Sequence, residues 1–290
     1  MDIIIQPLIS GIAMGFIYCL IAIEYTLVFN TSGLMNFGHD RYIMLGAYLY
    51  AGTFIVKLGM DNKWAIIPSL IMMFLAGIFL AWIAFNPLRD KESIYAVSGT
   101  LSMSMVVLQL CRIIYGPAAF NVEPIVSGVF QVTEAIVLPK IYIFIIVAAI
   151  VVLILQNLLL TRTRVGKAMR AVSQDKEAAA LMGINVGMLL FFTVGLSLLV
   201  CAIIGILLIP MYGVSLNMTT SIATKGFVAG IIGGFGSINA AIVGGLLLGI
   251  VEAIYLILGG PGLYKDMLSF ALIIVFLLWK PQGLLNKTRM

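Results

Sequence analysis

Charge is what this sequence has least of: Lys, Arg, Asp and Glu make up 10% of its 290 residues, against 62% hydrophobic residues and a mean hydropathy of +1.15. Too few polar groups remain to cover a globular surface, so lipid is the solvent for most of the chain. Histidine occurs once and cysteine three times, and Cys19, Cys111 and Cys201 each sit inside an apolar run. That scarcity excludes a disulfide framework, a CxxC or HExxH metal motif and a nucleophile–base constellation, and it leaves the cysteines as small buried thiols. No metal site and no catalytic residue is expected. The glycine cluster from Gly226 to Gly249 lacks the Gly-Lys-Ser/Thr with which a P-loop holds phosphate and magnesium. Any ATP and magnesium that drive this protein are therefore expected on another chain, with no cofactor on this one. The net charge of +5 comes from Lys and Arg lying between or after apolar runs, which argues against nucleic acid as a partner. The opening MDIIIQPLIS lacks the basic region of a cleaved signal, so residues 3–29 are expected to be a retained first span.

What is present is a series of apolar runs, at about 3–29, 35–57, 65–85, 95–115, 140–160, 188–210, 222–258 and 264–280, mostly near the roughly 20 residues that a transmembrane helix needs. The expected fold is an all-α polytopic membrane protein, one transmembrane domain over 1–290, with about eight membrane-embedded helices of which one or two are broken or short. The one long polar interval, about 161–187, carries Arg162, Arg164, Lys167, Arg170 and Lys176 against Asp175 and Glu177. Basic loops between spans face the cytoplasm, which places this loop inside, and with it Arg89 and Lys91 two crossings earlier. The 116–139 loop, with Glu123 and Glu134, then lies outside. Lys280, Lys287 and Arg289 also ask to be cytoplasmic, which requires an even number of crossings after the central loop. That parity is met if 222–258 forms a hairpin turning at Gly233-Gly234-Phe235-Gly236-Ser237, with a first limb too short to span the hydrocarbon core. The alternative is that the first limb stays outside the membrane as a loop.

Small-residue pairs Gly11/Gly15, Gly230/Gly234 and Gly245/Gly249 mark faces where helices can approach closely. Trp82 and Trp279 lie near span ends and Trp64 just before one, as interfacial anchors do. Ionisable groups inside apolar runs are costly and stand out as functional candidates: Glu24, Arg112, Lys225 and Glu252. The bland reading is a snorkelling end residue or a buried pair joining two helices, and the short stems of Glu24 and Glu252 fit snorkelling poorly. The stretch Asn30–Gly38 mixes Asn30, Thr31, Ser32, Gly33 and Asn36 at membrane length, favouring an interrupted helix ahead of His39, Asp40 and Arg41. Within the central loop, Ala168, Met169, Val172, Ala179 and Met182 gather on one side at helical spacing and Lys167, Arg170, Ser173, Gln174 and Glu177 on the other. This predicts one amphipathic helix from Gly166 to Gly183, suited to lie on lipid headgroups or to dock in a partner's groove.

Three segments carry a resemblance. GKAMRAVSQDKEAAALMGINV resembles the cytoplasmic loop of the bacterial branched-chain amino acid ABC transporter permeases. SGLMNFGHDRYIMLGAY is similar to their Asn-Phe-[GA]-His segment, and FVAGIIGGFGSINAAIVGGLLLGIVEA to their Gly-rich segment. The order is kept and the resemblance covers nearly the whole chain, with length and N-terminus closer to the smaller of the two paired permeases. It implies an inner-membrane, multi-pass subunit working by alternating access beside a second homologous permease, two ABC ATPase subunits and an extracytoplasmic solute-binding protein. It also implies ATPase coupling through Gly166, Arg170, Ala171, Ala178, Ala179 and Gly183, and a substrate path shaped by Asn36, Phe37, His39, Gly233, Gly234, Gly236 and Ser237. Two positions depart from the pattern: Asp40-Arg41, where the family usually has small residues, Glu or Ala, and Glu24-Tyr25, where it has a small or apolar pair. They leave urea or short amides open as alternatives to branched-chain amino acids. From another class, an ion-coupled secondary transporter would use Glu24 and Glu252 as its ion carriers.

Overall fold

In lipid a backbone can satisfy its own amides and carbonyls only by coiling or by closing a barrel, and the long apolar runs of this chain coil. The computed structural model describes residues 2–88, 92–133, 136–280 and 282–285. The expectations placed on Arg89, Lys91, Glu134, Lys287 and Arg289 lie outside these residues. The helices are α1 (Asp2–Ser32), α2 (His39–Ala47, continued by the wider π-helical turns of Tyr48–Lys57), α3 (Asn62–Leu88), α4 (Ser93–Tyr115) and α5 (Lys140–Arg162). They continue with α6 (Arg164–Gln174), α7 (Lys176–Leu181), α8 (Val186–Tyr212), α9 (Thr220–Gly233), α10 (Ile238–Ile257) and α11 (Lys265–Trp279). Among the described residues, 7 helices are long and apolar enough to cross a bilayer, α11 together with the short turn that precedes it, and α9 is a shorter apolar helix of 14 residues. The chain is thus an all-α multi-pass membrane protein. One departure from the expected loop at 116–139 is a two-stranded antiparallel hairpin, β1 (Val129–Thr133) with β2 (Ile136–Pro139). Its Val, Ile and Thr residues favour a paired, pleated backbone over coil.

The helices gather into two compact units, one of Met1–Thr26, Pro124–Val151 and Ser221–Met290, the other of Leu27–Glu123 and Val152–Thr220. In the first unit the glycine spacings seen in sequence meet each other. Gly11 and Gly15 of α1 lie against Gly245, Gly249 and Ala253 of α10, so close that a Cβ on Gly249 would come 2.7 Å from the Gly15 amide nitrogen. Without a hydrophobic force between helices in lipid, such backbone proximity supplies the dispersion contacts that hold the pair. The expected hairpin is present as well. Helix α9 ends at Gly233, Gly234 and Gly236 adopt positive φ of 116° and 96°, and α10 starts at Ile238. Gly230 packs on the turn itself, where a Cβ would sit 3.3 Å from the Phe235 ring.

The second unit is built around α8, which is buried along most of its length. Small residues again set the approach: Gly77 of α3 against Gly195, Gly46 of α2 against Ala202, and Gly205 against the backbone of Ile43 and Ala47. Phe74 and Phe192 meet edge to face at 5.9 Å between centroids. Tyr48 packs on Tyr115 and Phe120 at 5.1 and 5.8 Å. Trp64, Trp82 and Trp279 project outward, 69%, 60% and 78% exposed, as expected of interfacial anchors.

Overpacking the α1–α10 contact is the direct test of this account. Gly249→Val is expected to cost about 1–3 kcal/mol and lower the unfolding midpoint of the detergent-solubilised chain. Gly262→Ala, at a position with open space around it, is expected to change stability by no more than about 0.5 kcal/mol. Equal midpoints for the two variants would remove the close-packing explanation.

Candidate functional site

Two stretches of non-helical backbone interrupt the second unit, 33–38 between α1 and α2, and 213–219 after α8. Gly33 and Gly213 open them with positive φ of 74° and 65°, a conformation that glycine adopts without steric cost. Each break leaves helix-end groups that need partners, and side chains supply them. Ser32 Oγ donates to Val28 O at 2.7 Å and accepts from the Leu34 amide at 2.9 Å. Asn36 Oδ1 accepts from the Gly38 amide at 2.9 Å, while the buried Asn36 Nδ2 meets no acceptor. His39 Nδ1 lies 3.0 Å from Asn36 O. A carbonyl can only accept, so Nδ1 carries the proton and Nε2 is the acceptor for Ser197 Oγ, 3.4 Å away near the middle of α8.

Asp40 and Arg41 join the two breaks. Arg41 Nε lies 3.1 Å from Asp40 Oδ2, and the guanidinium donates to Leu216 O at 2.8 Å. Thr219 Oγ1 donates to Asp40 O at 2.7 Å. Asp40-Arg41 therefore clasps the start of α2 to the 213–219 strand of backbone. The strand's other end is fixed by reciprocal backbone bonds between Phe120 and Val214. Asn36, Phe37 and His39 are thus brought together in the second unit. Gly233, Gly234, Gly236 and Ser237 belong to the first, where residues near the C-terminus cover their turn. The Leu284 and Leu285 amides donate to Ile232 O and Gly233 O at 2.9 and 3.1 Å. Sequence reading had no signal for Ser197, Leu216 or Thr219, since each is linked to the His39–Arg41 knot only through the fold.

Glu252 is fully coordinated within the first unit. Its Oε1 accepts from Lys225 Nζ at 2.8 Å and Ser269 Oγ at 2.8 Å, and its Oε2 from Lys265 Nζ at 2.8 Å and Tyr18 Oη at 3.0 Å. A carboxylate offers about four lone-pair sites, and four donors fill them. Lys225 turns also to Asp266 at 2.6 Å, and Asp266 accepts from Ser221 at 2.7 Å. Two cations and two anions thereby tie α1, α9, α10 and α11 together with no net charge. Glu24 is fully buried on α1, whereas Arg112 is exposed in the last turn of α4, where a long side chain can reach the interface.

The central polar interval is not the single helix expected from Gly166 to Gly183. It breaks at Asp175, whose backbone is extended (φ −156°, ψ 112°), into α6 and α7. The cause is capping: Asp175 Oδ1 accepts from the Glu177 and Ala178 amides at 2.9 Å each, an arrangement Asp prefers to a helix interior. Gly166, Met169, Val172 and Ala179 face inward, but Met182, assigned to that face, is 84% exposed beside Leu181 at 89%. Arg170 and Ala178 are exposed, Ala171 is half-buried, and Gly183 takes the expected positive φ, 85°, after the helix end. Lys176, the first residue of α7, donates from Nζ to Ser32 O at the end of α1. Among the described residues no three His, Cys, Asp or Glu side chains are grouped to hold a metal ion.

This architecture has known counterparts. Residues 8–277 match the model of the family described as "Branched-chain amino acid transport system / permease component". The high-affinity branched-chain amino acid transport system permease protein LivH of Salmonella typhimurium is 30% identical over 98% of this chain and 96% of its own. The corresponding protein BraD of Pseudomonas aeruginosa is also 30% identical, with the same coverage. A solved structure, PsaBC from Streptococcus pneumoniae in complex with Fab, shares the fold at a TM-score of 0.51 and 15% identity, covering 97% of this chain and 91% of that one. The chain belongs to the branched-chain amino acid transport system permease family.

If the Glu252 cluster is a structural staple, removing its centre leaves the buried Lys225 and the half-buried Lys265 without their shared acceptor. Glu252→Ala is expected to destabilise the detergent-solubilised chain by about 3–5 kcal/mol, read as a lowered unfolding midpoint. An unchanged midpoint would show that the cluster carries no structural load.

Proposed function

We propose that this chain is a permease subunit of an ATP-driven importer that carries branched-chain amino acids across the bacterial inner membrane. The observation that carries the reading is the match to transport permeases over nearly the full chain. The backbone breaks at 33–38 and 213–219 agree with it, because transporters place interrupted helices where exposed amides and carbonyls can meet a polar solute. Asn36, Phe37 and His39 line that path in the second unit, and Gly233, Gly234, Gly236 and Ser237 shape the first. The chain works beside a second homologous permease, two ABC ATPase subunits that hold ATP and magnesium, and an extracytoplasmic solute-binding protein. The 161–187 loop and the C-terminus face the cytoplasm.

Coupling runs through α6 and α7. Their outward surface presents Arg170 and Ala178 together with exposed Val165, Leu181 and Met182, a mixed basic and apolar face suited to an ATPase groove. Gly166, Ala171, Ala179 and Gly183 set the backbone path behind that face. Gly166 packs on the backbone of Leu159 and Leu160, and Thr163 caps α6 through the Gly166 amide at 3.0 Å. When ATP draws the ATPases together, a shift of this segment moves α5 and α8, which it joins, and alternates access to the path. An ion-coupled mechanism needs a carboxylate open to a travelling ion. Glu252 has both oxygens filled by groups of its own chain, which weighs against that role.

The test is a mild-detergent pull-down of the tagged chain followed by ATPase measurement. A second permease and two ATPase proteins should co-purify, with hydrolysis stimulated by binding protein loaded with leucine, isoleucine or valine. Stimulation by urea or a short amide alone would replace the substrate class, and a chain that purifies alone yet takes up solute in liposomes would overturn the reading. Arg170→Glu should cut uptake by about tenfold, the equivalent of about 1.4 kcal/mol of docking energy, at unchanged protein level in the membrane.

A further inference from the structure

The end of α1 is held by a residue that lies in the coupling segment. Lys176 is the first residue of α7, placed there by the Asp175 break and its double cap. Its Nζ donates to Ser32 O, the last carbonyl of α1, where the helix macrodipole puts partial negative charge. Gly33, the next residue, turns into the left-handed region, and a Cβ there would lie 3.1 Å from the same Nζ. Four residues past Ser32 is Asn36, and seven past it is His39.

The contact borders open space. A cavity of about 480 Å³ opens beside it, lined by Thr31, Ser32 and Lys176 with Glu177, Ala180 and Leu190 among its other walls. Side chains packed at interior density resist small displacements, whereas a charged side chain that borders a cavity can shift at little steric cost. Lys176 also sits on the short helix whose neighbours Leu181 and Met182 are the most exposed apolar groups of the segment.

We propose that Lys176 is the positioning residue through which the coupling segment controls the α1–α2 break. This rests on the reading of the chain as an ATP-driven permease. Motion of α7 is transmitted through Nζ to the Ser32 carbonyl, and from there along 33–38 to Asn36 and His39. The α1–α2 break thus has a drive of its own, separate from the rigid shift of α5 and α8. The ammonium and its reach are what matter, since the acceptor is a backbone carbonyl that no substitution removes.

The experiment uses the assembled transporter in proteoliposomes and measures solute taken up per ATP hydrolysed for wild type, Lys176→Met, Lys176→Arg and Lys176→Cys. Lys176→Met should keep ATPase subunits bound and hydrolysis stimulated by loaded binding protein, with uptake per ATP at least tenfold lower. Lys176→Arg should retain most of the coupling. Lys176→Cys should be uncoupled until treated with 2-bromoethylamine, which restores an ammonium at nearly the lysine length; Cys19, Cys111 and Cys201 are buried and spared. Wild-type coupling in Lys176→Met, or loss of ATPase binding with loss of uptake, would overturn the proposal, as would failure of aminoethylation to restore coupling in a complex that still assembles. Failure of the wild-type complex to couple ATP to uptake would instead overturn the functional reading on which it rests.

Discussion

A backbone carbonyl or amide in lipid has no water to turn to, and each one left unpaired costs several kcal/mol. Three breaks among the described residues answer that constraint. At the first, Ser32 Oγ serves Leu34, Asn36 Oδ1 serves Gly38 and Lys176 serves the Ser32 carbonyl. At the second, Arg41 serves Leu216 and the Phe120–Val214 pair closes the entry. At the third, the amides of Leu284 and Leu285 complete the end of α9. Polar side chains within the apolar runs serve these points, because there the helix cannot satisfy itself. Non-helical backbone held this way can present groups to a solute without unravelling the helices around it.

The paired charges divide by what surrounds them. Lys225, Glu252, Lys265 and Asp266 form a neutral set whose central carboxylate has no vacant acceptor site, and glycine contacts press α1 onto α10 close by. That unit is tied together. The Asp40–Arg41 pair instead spans two breaks and bonds mainly to backbone. Replacing one partner of the first set leaves a buried charge uncompensated, whereas changing the second alters how two irregular segments meet. The same kind of charge thus ties helices to one another in one place and backbone segments in another.

Much of the fold was legible in sequence because membrane length, glycine spacing and chain punctuation are local signals. The runs that became helices, the Gly11/Gly15 and Gly245/Gly249 faces, the interruption before His39 and the turn between α9 and α10 all follow from residues near one another. The family match agrees with the three segments that resembled it. Three features were not legible. The break at Asp175 competes with a helical pattern that continues across it, and the double cap decides the contest. The β1–β2 hairpin sits in a stretch with no strong turn signal. Tyr18 lies 234 residues from Glu252, Leu216 lies 175 from Arg41 and Ser32 lies 144 from Lys176, and the last two accept through backbone carbonyls, so no spacing rule could reveal them.

The central claim is that the 33–38 break lines a path whose exposure alternates with the ATPase cycle. Phe37 is partly exposed in this segment and the native cysteines are buried, so a Phe37→Cys variant of the assembled transporter can be labelled selectively. The rate of its reaction with a membrane-impermeant thiol reagent, added from one side and then the other, is the measurement to make with and without trapped ATP. The account predicts that trapping ATP changes the favoured side, with reaction rates shifting by at least about tenfold, as a population shift between two states requires. Equal rates from each side regardless of nucleotide, in a complex that still transports, would contradict it.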